Sequence, residues 1–157
     1  AGRTHKPGTA LMFQPAAVLP ADLSWAAGSA TVADAFARAS AAIDVAGIRS
    51  VPAAVRDLVT AELAAWQGLP KGIGRGWVED LVAGLSTADR PAGRLALLTA
   101  FAPYQVDDAV VAGFRGVRSG DEALIELTSW ASMAAARRVG TWLPARQLAA
   151  TEDAPQS

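Results

Sequence analysis

The stretch Asp89–Ala102, DRPAGRLALLTAFA, constrains what this chain can fold into more than any other. Asp89 and Pro91 are helix-start residues, and Pro103 is a stop. From Leu95 to Ala102 the segment is apolar on nearly every side. A helix of that kind must be enclosed by other helices, because a surface position would leave part of it in water. The segment is therefore expected to be the hub of an all-helical domain.

The rest of the chain supplies helices to enclose it. Pro20 suits the first turn of a short helix over Ala21–Ala27, ended by Gly28. Ser29 is an N-cap candidate, and Val32, Phe36, Ala39, Ile43 and Ala46 recur at spacings of four and three, predicting an amphipathic helix that ends at Gly47. Pro52 opens the next, with Val55, Val59, Leu63 and Trp66 as its apolar face and Gly68 closing it. Residues 68–76, GLPKGIGRG, are the least helical stretch in the middle. Trp77–Leu85 reads as a short helix, and Ser86 or Thr87 caps the hub. Asp107 opens a helix that buries Val110, Val111 and Phe114, and Gly116 and Gly120 bracket the following loop. Asp121 starts the last helix, which ends before Pro144 and carries Leu124, Leu127, Ala131 and Ala134 or Ala135 on a flat face. No segment shows strand alternation. The expected fold is an all-α bundle of six or seven helices: an arm or former linker over 1–19, a helical domain over 20–144, and a disordered tail over 145–157.

Composition narrows the function by exclusion. Of the 157 residues 52% are hydrophobic, much of the excess being alanine, which suits closely packed helices. The net charge of -1 gives no electrostatic case for nucleic acid or an anionic membrane. No apolar run approaches the roughly 18 residues needed to cross a bilayer. The expected location is the cytoplasm. With no cysteine and one histidine, His5, the chain offers no thiolate chemistry, no Ser–His or Cys–His catalysis and no cluster of metal ligands. No metal and no cofactor is expected.

A few residues remain as candidates. Asp57 and Glu62, with Glu79 and Asp80, lie on the two helices flanking the glycine-rich loop, where a buried carboxylate would act as an acid or base. The plain alternative is a solvated helix face. Lys71 and Arg75, inside the loop and ahead of a helix start, are anion-binding candidates, although the segment fits neither phosphate-loop pattern. Tyr104 after Pro103 either presents its hydroxyl to a cavity or plugs the helix end. The five tryptophans suit core or subunit-contact anchors, and Arg137 and Arg138 suit a helix C-terminus.

Two stretches carry a resemblance: VPAAVRDLVTAELAAWQG over 51–68, and the run from DRPAGRLALLTAFAPYQVDDAVVAGFR to ALIELTSWASMAAARRVGTWL. They resemble the carboxymuconolactone decarboxylase and alkylhydroperoxidase D-like (AhpD-like) superfamily. With LPADLSWAAGS, the likeness is to the C-terminal half of its two-domain members, over roughly residues 10–144. The resemblance implies an all-helical, commonly oligomeric protein. In the peroxidase branch a glutamate precedes Cys-x-x-Cys and a histidine. By position these fall near Asp57 and near Leu69 and Gly72, where the chain reads Leu69-Pro70-Lys71-Gly72 with no histidine after it. The thiol chemistry is therefore absent. The leading expectation is a catalytically silent domain whose partner is another copy of itself or an N-terminal AhpD-like domain. The alternatives are a small-molecule enzyme or binder of the decarboxylase type, with a pocket between the 52–67 and 77–85 helices, and a purely structural oligomerisation module.

Overall fold

The computed structural model describes residues 13–142. The expectations for the first residues of the arm and for the tail lie outside the described residues. In chain order the elements are a 3-10 helix (Ala21–Gly28), α1 (Ala30–Ser50), α2 (Ala53–Ala65), α3 (Gly76–Val82), α4 (Arg90–Phe101), a 3-10 turn (Pro103–Gln105), α5 (Asp108–Val117) and α6 (Asp121–Gly140). The described residues contain no strand.

Helix α4 is the hub. Leu95, Ala96, Leu97 and Leu98 are fully buried, and α2, α3, α5 and α6 all pack on it. Ser86 does not cap α4 directly. Its hydroxyl donates to Asp89 Oδ2 at 2.7 Å and accepts the Asp89 N–H at 3.2 Å, closing a turn ahead of the helix, which begins at Arg90. Gly93 allows α3 to approach: a Cβ there would stand 2.5 Å from Leu85 Cδ1 and 3.2 Å from Val82 Cγ1.

Helix α1 departs from the reading of the sequence. It does not stop at Gly47 but runs to Ser50, where Val51 turns extended ahead of Pro52. Its most buried positions are Ala37, Ser40, Gly47 and Ser50, and Ala39 is exposed. A seam of small residues lets α1 lie close along α6. At Gly47 the fit is tight enough that a Cβ would sit 2.3 Å from Trp130 Cδ1. A glycine that looks like a terminator from its neighbours is a contact point once the last helix is in place.

On α6, Leu127 and Ala131 are fully buried as expected, but Glu126 and Trp130 are buried with them. The Glu126 carboxylate is met by the Ser50 hydroxyl and the Arg49 guanidinium, so the polar group is not left without partners inside the seam. The first 3-10 helix is fastened to the far end of α6. Arg137 donates to both oxygens of Asp22, at 2.6 and 2.7 Å.

Candidate functional site

The loop 68–76 sits at one end of the hub, where Phe101 closes α4 between two indoles. The Trp66 and Phe101 rings meet edge to face at 5.2 Å, and those of Trp77 and Phe101 at 6.0 Å. Lys71 folds back over this cluster. Its ammonium lies 4.8 Å from the Phe101 ring centre and 2.8 Å from Glu62 Oε2. The geometry combines a cation on an aromatic face with a carboxylate beside it. Two of the candidates from the sequence thus meet each other, and the half-buried Glu62 is an ion-pair partner of Lys71.

The other half of the loop is tied down by a residue that periodicity does not reveal. Gln105, buried behind the Pro103 turn, donates from Nε2 to the carbonyls of Gly72 (3.3 Å) and Ile73 (3.1 Å). Arg75 donates to the Gln105 carbonyl and, at 2.7 Å, to Asp107 Oδ2. The Arg75 contact holds the Asp107 carboxyl below its usual value, helped by the Val110 N–H that Asp107 accepts as N-cap of α5. Arg75 is thus paired with a side chain of the chain itself.

Asp57 and Tyr104 are not part of this arrangement. Asp57 lies on the exposed side of α2. Tyr104 is 74% exposed, neither a plug nor a cavity group, and its hydroxyl touches only the Gln105 amide at 3.4 Å. Of the other acids weighed, Glu79 holds Arg94 in a two-point contact at 2.7 Å, which keeps its carboxyl below the usual range. Between α2 and α3, where a pocket was expected, the inward faces of both helices are apolar and buried: Val55, Val59, Val78 and Val82 are essentially without exposed surface, and both helices pack on α4. No group of acids and histidines able to hold a metal occurs among the described residues.

The positions expected for a cysteine pair, Leu69 and Gly72, lie in the loop, four or more residues ahead of the first turn of α3. Leu69 is 74% exposed, with its carbonyl accepting the Trp66 indole N–H at 2.7 Å. Gly72 has φ +128°, a conformation that a cysteine rarely adopts. A reactive thiol is usually activated at a helix N-terminus or beside a cation. In this chain the helix begins later, and the nearby cation, Lys71, is engaged by Glu62.

No family model and no solved structure matches the chain. One curated relative does: the alkyl hydroperoxide reductase Rv2159c of Mycobacterium tuberculosis is 38% identical over 141 residues, which are 90% of this chain. This match supports an assignment of the chain to the AhpD-like superfamily. The helical architecture agrees with that assignment. The chain spans 40% of the length of the reductase it matches. In this chain the segment between α2 and α3 is a loop with no sulfur in it.

Proposed function

We propose that this chain is a redox-silent AhpD-like domain that packs against a thiol-bearing AhpD-like domain or against a second copy of itself. The observation that carries this reading is the segment Leu69-Pro70-Lys71-Gly72. By the sequence resemblance it falls near the cysteines of the peroxidase branch, and it is held by Glu62 and Gln105 in a conformation that disfavours a side chain at Gly72. The relative's name supports a peroxidase-related setting, and its greater length leaves room for a further domain. The exposed side chains of Leu69 and Ile73 within the loop suit a contact surface better than a reaction centre. The decarboxylase-type alternative loses ground, because Asp57 and Tyr104 are exposed and Glu62 is paired with Lys71.

The test is turnover. The purified chain, given an alkyl hydroperoxide and a dithiol donor, should consume no more peroxide than the donor does alone. Leu69→Cys combined with Gly72→Cys should leave it inactive, because φ at residue 72 opposes the substitution. Peroxide consumption by the unmodified chain overturns the proposal.

A further inference from the structure

Away from the loop, the 3-10 helix, α1, α2 and α6 enclose an open cleft of about 340 Å³. Its floor is apolar, made by Leu63, Trp130, Met133 and Ala134. Ligand sites have this character: an apolar floor with a few polar groups at the edge. The two arginines at its rim differ. Arg137 is matched by Asp22 and, at 3.6 Å, by Asp44. Arg138 has no carboxylate within 4 Å among the described residues. It donates from Nε and one Nη2 amine only to neutral carbonyls, those of Trp66 (3.3 and 2.9 Å) and Ala64 (3.1 Å). Its Nη1 amine has no acceptor among those residues.

Arg138 and Thr141 also line a second, more open cleft of about 600 Å³, which they share with Gln67 and Trp142. The guanidinium, without a carboxylate partner but lying 5.3 Å from the Trp142 ring centre, therefore stands where two hollows meet, with an apolar floor on one side and Trp142 and hydrogen-bonding side chains on the other. Asp22 and Asp44, the two carboxylates of the cleft lining, both pair with Arg137, so neither is a partner of Arg138.

The geometry points to a binding site for a short amphipathic monocarboxylate, its apolar body on Leu63, Trp130 and Met133 and its carboxylate on Arg138 Nη1. Guanidinium and carboxylate form charge-assisted hydrogen bonds. An alcohol of the same shape would lose that contact, and an ammonium would meet the cation instead. The site uses no residue of the 68–76 loop and stands or falls apart from the redox-silent reading.

The experiment is calorimetric titration of the full chain with 3-phenylpropionate, 3-phenylpropanol and 3-phenylpropylammonium. The carboxylate is expected to bind one to one, with the alcohol weaker by about tenfold, as loss of a hydrogen bond to a charged group implies. The ammonium is expected not to bind. Arg138→Gln should bring the carboxylate down to the level of the alcohol. Thr60→Trp, a change at the exposed rim on α2, should block the acid and the alcohol alike while leaving the helical circular dichroism intact. Arg138 also ties the end of α2, so if Arg138→Gln unfolds, the ligand series and Thr60→Trp decide. Failure of 3-phenylpropionate to bind, equal binding of acid and ammonium, or binding unaffected by Thr60→Trp overturns the assignment.

Discussion

Single residues set how closely the helices approach. Gly47 is the clearest case, because two effects of a substitution oppose each other there. Gly47→Ala would gain about 0.5–1 kcal/mol of helix propensity. It would also drive a methyl group into the Trp130 ring, with gaps of 2.3 Å to Cδ1 and 2.6 Å to Cγ. Overpacking of this kind costs about 1–3 kcal/mol, and the clash involves a buried indole with little room to move. The clash is expected to win. Gly47→Ala should lower Tm by several degrees in a calorimetric scan, since about 1 kcal/mol is worth roughly 2–4 °C in a domain of this size. Gly113, on α5, has nothing within 4 Å of a Cβ, so Gly113→Ala serves as the control and should raise Tm or leave it unchanged. Residue type alone does not reveal this difference. In the structure both glycines lie inside helices, and only the partner element tells them apart.

At the scale of elements, what was legible follows the range of the forces involved. The hub helix could be read from its own residues, because an all-apolar segment requires enclosure whatever surrounds it. The N-cap at Asp107 was also readable, since its partner, the Val110 N–H, lies three residues away. The buried face of α1 was misread because its true members are small, and small residues leave a weak periodic signal. In the candidate site, Glu62 and Lys71 were each singled out, but their pairing needed the loop to fold back. Gln105 carried no signal: one polar residue after a proline stop looks like surface. It is nevertheless the main clamp on the loop through two backbone carbonyls. Gln105→Leu keeps the approximate volume and removes both donors. It should speed amide hydrogen exchange across 68–76 and leave exchange in α4 unchanged. Equal protection of the loop in that variant would show that Arg75 and Lys71 hold it without Gln105.

For the whole molecule, ion pairs stitch distant parts of the chain together, and this has a pH signature. Arg137 holds the Asp22 carboxyl below its ordinary value of 3.8, mainly through the side-chain hydrogen bond, and Arg94 does the same to Glu79 from 4.5. A carboxyl whose folded-state value is depressed contributes stability that is fully present above its unfolded value. That contribution is lost as pH falls through the folded one. Stability should therefore be flat in these two groups from pH 8 to about 5 and fall below about 4.5, starting with Glu79 and then Asp22. Both pairs are partly exposed, so added salt should shrink the effect. Asp22→Asn measured by urea unfolding at pH 7 and pH 3 should be destabilising at pH 7 and less so at pH 3, below the ordinary carboxyl value. An equal loss at both values would mean that the pair contributes through shape alone.

The position of α4 in the chain bears on how the protein is made. Its covering helices come from both sides of it in the sequence, and α6, which seals the leucine-rich flank, is the last of the described helices. On a ribosome the greasy centre emerges well before its final cover. Until Gly140 has been joined, the growing polypeptide carries its stickiest segment uncovered on one side, so aggregation competes with folding until the last helix is made.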